Sequence, residues 1–222
     1  MKREVRMYSS VSKLTSSTLG VGILSLALLA PGCATPTSKQ VASFRQEETL
    51  RQTMRKLWED HITWTRLVIV STAAGLPDLD ATTQRLLQNQ ADIGDAIKPF
   101  YGDSAGTKLT ELLREHIVGA AGVLAAAKGK DPAALDAAKK TWYANGDEVA
   151  AFLTNANPKA WPMNDSQTMM REHLDLTMTE AVDQLQGRYP ESVADYDKVH
   201  DAMLRMADML SNGIISQFPE KF

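Results

Sequence analysis

The chain has 222 residues, enough for one domain with a substantial core. Its 44% hydrophobic and 23% charged fractions are those of a globular protein and exclude a disordered polymer. A net charge of −3, with Lys and Arg scattered among Asp and Glu, gives nucleic acid no electrostatic footprint. The only cysteine is Cys33, so the body beyond it holds no disulfide, thiolate metal site or Cys nucleophile.

The N-terminus reads as an export signal. Lys2, Arg3, Arg6 and Lys13 form a positive region ahead of the apolar run Leu19 to Ala30, which is too short to span a bilayer comfortably. Leu29-Ala30-Pro31-Gly32-Cys33 follows, a small residue before a Cys, and resembles a bacterial lipobox. The resemblance implies that Cys33 is lipidated and becomes the mature N-terminus, anchoring the protein to a membrane and facing the periplasm or the cell surface. Ala34 is not the Asp that commonly retains such proteins at the inner membrane, which favours the outer one. Ordinary cleavage after Ala34, giving a soluble periplasmic protein, is the alternative. Residues 1–33 are thus read as the signal and 34–46, mostly polar, as a tether.

From residue 47 to 222 the apolar residues recur at three- and four-residue steps, and no strand is expected. A first helix is predicted from about Glu47 to Thr72, with Leu50, Met54, Leu57, His61, Trp64, Val68 and Thr72 on its inner stripe. Gly75-Leu76-Pro77-Asp78 ends it. A second covers about Ala81 to Ile97 and stops near Pro99, and a third covers about Ser104 to Ala127 with Leu109, Leu112, His116, Ala120 and Val123 inward. Asp131-Pro132 supplies an N-cap and a Pro at the first helical position for a fourth, reaching about Thr154. After the rigid segment Asn157 to Pro162, a fifth spans about Ser166 to Leu185 and a sixth about Pro190 to Gln217. Short connections predict antiparallel neighbours, and therefore an all-α six-helix bundle.

The helices also pair into three related hairpins, about 47–102, 103–162 and 163–222. Leu57-Trp58-Glu59-Asp60-His61-Ile62, Leu112-Leu113-Arg114-Glu115-His116-Ile117 and Met169-Met170-Arg171-Glu172-His173-Leu174 share one pattern: two apolar residues, a polar one, an acid, His, an aliphatic. The distances from His61 to Pro77, His116 to Pro132 and His173 to Pro190 are 16, 16 and 17 residues. The partner helices align as Asn89-Gln90-Ala91-Asp92-Ile93, Asn145-Gly146-Asp147-Glu148-Val149 and, more loosely, Arg205-Met206-Ala207-Asp208-Met209.

The segments Leu57 to His61 with Trp64-Thr65-Arg66, Thr82 to Gly94, and Ile97-Lys98-Pro99-Phe100-Tyr101-Gly102 resemble a family of bacterial helical proteins without an established activity. The likeness runs on through Ala207 to Ser211 and implies no ligand or reaction. Similar proteins have been labelled glycosyltransferases, but such enzymes need a large α/β nucleotide-sugar fold. The one Asp-x-Asp, Asp78-Leu79-Asp80, falls at a helix start where capping accounts for it.

His61, His116 and His173 lie in the apolar stripes of three equivalent helices, so a quasi-threefold bundle would bring them to one axis. Three inward imidazoles are a candidate site for Zn²⁺, Cu²⁺, Ni²⁺ or Fe²⁺. Asp60, Glu115 and Glu172, about 100° round the helix from each His, are candidate ligands or His-orienting groups, as are Asp92, Glu148, Asp208 and His200. The competing reading is structural: a duplicated hairpin inherits core histidines that merely bond a neighbouring polar group. Trp58, Trp64 and Trp142 are expected to serve packing. No phosphate loop, nucleophile elbow or His-Glu-x-x-His is present, so the leading expectation is a metal-binding envelope lipoprotein; an enzyme, which would need an open metal position or a perturbed acid and base, is left open behind it. A ligand-free module docking an envelope protein partner is the alternative.

Overall fold

In a computed structural model, residues 37–222 are described; the expected export signal, the lipobox-like segment and Cys33 lie outside them. Among the described residues the protein is all-helical, with no strand and six α-helices: α1 (Ser38–Ala74), α2 (Leu79–Tyr101), α3 (Asp103–Gly129), α4 (Pro132–Ala156), α5 (Met163–Leu185) and α6 (Tyr189–Gln217). None is long and apolar enough to cross a membrane.

Local chemistry fixes the ends. α1 starts at Ser38 and not near Glu47, so the tether expected over 34–46 is largely helical. The reason is a capping box, in which Thr37 accepts from the Gln40 amide and the Gln40 side chain accepts from Thr37 N–H. Gly75, at φ 67°, closes α1 in the left-handed region that favours glycine. The carboxylate of Asp78 does not cap α2 as expected; it accepts the Ser71 hydroxyl at 2.8 Å, tying the end of α1 to the turn. Pro99 lies inside the last turn of α2, which runs on to Tyr101. Asp131 caps α4 on the Ala133 and Ala134 amides at 3.1 Å, with Pro132 first in the helix as predicted.

Each helix packs chiefly on its neighbours in the chain, and α1 closes the ring against α6. α1, α3 and α5 also touch one another, so they form the inner triangle. Being surrounded widens the buried face of α1 beyond a narrow stripe: Met54, Trp58, His61, Ile62, Val68 and Ile69 are all buried, whereas Leu57 and Trp64 are only partly so. One continuous apolar core runs through all six helices and takes in Trp161 from the α4–α5 connector. That connector is pinned by Asn157 Nδ2 donating to Gly213 O at 3.0 Å and Trp161 Nε1 donating to Met209 O at 3.3 Å. α2 and α3 come closest where Gly94 faces Gly106; a Cβ on Gly94 would sit 2.5 Å from the Gly106 carbonyl oxygen.

At one end of the bundle a buried polar knot joins α1, α5 and α6. Arg66 donates to Glu180 Oε1 at 2.9 Å and to Gln184 Oε1 at 3.2 Å, and it also reaches the Ser192 hydroxyl. Glu180 is 1% exposed, and burial pushes its carboxyl up to about 7 against the opposing pull of Arg66.

Candidate functional site

The three histidines of the repeated motif converge. His61 on α1, His116 on α3 and His173 on α5 are each buried and line one cavity. The His173 ring neighbours both of the others, with ring centroids 5.9 Å from His61 and 6.0 Å from His116. Alternating helix directions make α1, α3 and α5 parallel, so residues equivalent in sequence stack in layers across the axis. One turn before the histidines lie Trp58, Leu113 and Met170, which line the same cavity of about 30 Å³. One turn after lie Thr65, Ala120 and Thr177, which line a second apolar cavity of about 50 Å³. The histidine layer is therefore a polar partition between two apolar cavities.

Two of the rings have a fixed hydrogen-bonding side. His61 Nδ1 is 3.2 Å from Gln90 Oε1, and His116 Nδ1 is 2.9 Å from Asn145 Oδ1. An amide oxygen can only accept, so Nδ1 carries the hydrogen and donates; Nε2 of a neutral ring is then left with its lone pair. The amides are themselves held. Asn145 Nδ2 donates to Leu112 O at 3.1 Å and Gln90 Nε2 to Leu86 O at 2.7 Å, while Asn89 Nδ2 donates to Leu57 O at 3.0 Å. In the aligned segments Asn89–Ile93 and Asn145–Val149, Asn89 and Asn145 both donate to the carbonyl four residues before the histidine, but the amide facing the ring is Gln90 in the first and Asn145 itself in the second. The corresponding Arg205–Met209 segment has no amide, and His173 Nδ1 meets only the Thr177 hydroxyl at 3.5 Å. Among the described residues, no hydrogen bond uses Nε2 of any of the three.

All three rings are held neutral. Burial pushes His61 down to about 3, helped by repulsion from His116 and opposed by the Gln90 bond. Burial likewise takes His116 down to about 4 against the Asn145 bond. His173 lies well below the ordinary imidazole range through burial and then its two histidine neighbours. Trp58 stands edge-on to His61 at 5.6 Å, and Trp142 lies over His116 at 5.3 Å. Trp58 Nε1 and Trp142 Nε1 are buried N–H donors without a partner among the described residues.

The acids and the fourth histidine do not join this cluster. Asp60 is tied to Lys56 and Arg85, Asp92 to Arg85, Asp208 to Arg55 and Glu172 to Arg205. Glu115 and Glu148 are exposed and border an open groove of about 540 Å³ whose floor includes Trp142 and Asn145. His200 is paired at the surface with Glu59 at 3.1 Å. The reason is helical geometry: a residue adjacent to a buried His points roughly 100° away from it, which on these helices is toward water. Orientation of His61 and His116 falls to Gln90 and Asn145 on α2 and α4. Both lie in the aligned partner segments, each 29 residues after its histidine, and that shared spacing was the available signal.

Among the described residues, no group of three His, Cys, Asp or Glu side chains is placed to hold a metal ion as it stands. Two imidazoles bound at about 2.0–2.1 Å to one ion have ring centroids roughly 5 Å apart, closer than His173 stands to either of the other two rings. Comparison with protein-family models, curated proteins and solved structures finds no match to the chain.

Proposed function

We propose that the protein is an exported envelope lipoprotein, anchored through Cys33, whose helical bundle binds a transition metal through His61, His116 and His173. The fold is read as three copies of one helical hairpin around a quasi-threefold axis. In support, α1, α3 and α5 form the inner triangle and carry equivalent residues in matching layers.

The observation that carries the metal reading is the paired arrangement of Nδ1 and Nε2. A purely structural buried His satisfies both ring nitrogens where it can. Here rigid amides on α2 and α4 hold Nδ1–H of His61 and His116, and the other nitrogen has no protein partner. Metal-bound histidines are oriented in this way. Neutral rings are the ligand form, and the adjoining cavity leaves room for a bare ion.

Elemental mass spectrometry of the full chain, purified without an affinity tag, tests this directly. Near-stoichiometric metal is expected, with most of it lost in His116→Ala and in His116→Gln, each checked for folding by circular dichroism. A folded protein that refuses added Zn²⁺, copper and Ni²⁺ would make the histidines packing groups of a ligand-free envelope module. Fatty-acid labelling checks the anchor: label that survives Cys33→Ala would place lipidation elsewhere or nowhere.

A further inference from the structure

The cavity next to the triad says which kind of ion the site suits. No Asp, Glu, Lys or Arg lines it, and its wall is almost entirely apolar. The nearby carboxylates are spent on surface ion pairs with Lys and Arg or stand exposed in water. An ion bound here receives only neutral donors, and its charge goes uncompensated. The cost of burying an ion rises with the square of its charge, so a divalent ion is penalised four times as heavily as a monovalent one of equal size. Divalent sites of three neutral imidazoles normally offset this with a bound water or hydroxide in an open position, which an apolar closed cavity does not favour.

The second observation is the sulfur. Met54, Met170 and Met206 line the same cavity as the three imidazoles. Met170 is in the layer directly against the histidines, on the same face of α5 as His173 and one turn before it; Trp58 and Leu113 hold the equivalent places on α1 and α3. Thioether sulfur is a soft, neutral donor that selects for monovalent copper among the biological metals. Met commonly fills core gaps; here one lies a turn from His173 and lines the same cavity as all three imidazoles.

We infer that the site is built for Cu⁺, held by the Nε2 atoms of His61, His116 and His173 with the Met170 thioether as the soft fourth donor. This rests on the triad reading above and deepens it, replacing a generic transition metal by a monovalent, soft one and adding a residue outside the repeated motif.

The test is anaerobic titration of the full chain with Cu⁺ against bicinchoninate, in parallel with Zn²⁺ against a chromophoric chelator. X-ray absorption at the copper edge then reads the donor atoms. One Cu⁺ per chain, bound more tightly than Zn²⁺ and with both nitrogen and sulfur in its coordination sphere, is expected. Met170→Leu keeps the core volume and should keep the melting temperature of the metal-free protein. It should remove the sulfur signal and weaken Cu⁺ by on the order of tenfold or more, the scale of loss when a supporting group leaves a metal site. Zn²⁺ bound through the histidines in preference to Cu⁺, or Cu⁺ bound without sulfur, overturns the copper assignment and leaves the triad standing. Failure to bind either ion overturns both.

Discussion

Acid should unfold the metal-free protein through its histidine layer, and the size of the effect follows from the burial of the rings. An unfolded chain binds a proton at each His with the ordinary value of 6.5, whereas folded His61 stays neutral down to about 3 and His116 to about 4. Below 6.5 the unfolded state therefore binds more protons, and stability falls as pH falls. Between pH 8 and pH 5 each of these two residues removes about 2 kcal/mol, since one pH unit is about 1.4 kcal/mol per proton. His173 adds to the loss in the same direction. Together they take a large share of the roughly 5–15 kcal/mol that holds a domain folded.

Glu180 works the other way. Its folded carboxyl titrates at about 7 instead of 4.5, so its contribution is full below 4.5 and is lost as pH rises through 7. Over the same pH 8 to 5 interval it returns about 2–3 kcal/mol, partly masking the histidines. Urea unfolding followed by helical circular dichroism at pH 8, 6 and 5 should thus show a modest loss in the native sequence. In Glu180→Gln, which abolishes that titration, the loss should grow to about 4 kcal/mol or more. If Glu180→Gln varies by less than about 1 kcal/mol across this range, the three rings are not buried in neutral form and the site description fails.

Asn145→Leu removes the oxygen that holds His116 Nδ1–H and should lower metal affinity by about 10–100-fold, read by chelator competition. It should also cost the metal-free fold about 1–3 kcal/mol for the stranded donor; unchanged affinity would mean that Asn145 does not orient a ligand. Gly94→Ala places a Cβ 2.0 Å from Thr110 Oγ1 and 2.5 Å from Gly106 O. Because one of those atoms is backbone, α2 and α3 must separate, and thermal melts should show a loss of about 1–3 kcal/mol. Gly122→Ala, with nothing within 4 Å, should instead gain up to about 1 kcal/mol from helix propensity.

The helices were legible in the sequence because their signals are local. Three- and four-residue periodicity, Asp131-Pro132, Gly75-Leu76-Pro77 and Gly187 each act within a turn of the chain, and four of the six helices began or ended within a few residues of expectation at both ends. The two larger differences, α1 beginning at Ser38 and α2 passing through Pro99, came from a capping box in a polar segment and from a proline tolerated near a helix end. The three histidines of the acid–His motif are all buried, since position within an apolar stripe forecasts burial.

What the sequence left open was everything set by packing between helices distant in the chain. Whether the six helices close into a ring depends on α1 meeting α6, and the mutual contacts of α1, α3 and α5 are what bring His61, His116 and His173 to one cavity. The orienting partners were misread because an acid beside a His is its neighbour in sequence yet lies about 100° round the helix, facing solvent. Gln90 and Asn145 reach the rings from other helices, 29 residues along the chain. In the chain Met170 is one methionine of ten; only the packing of the helices shows that it lines a cavity with the three imidazoles.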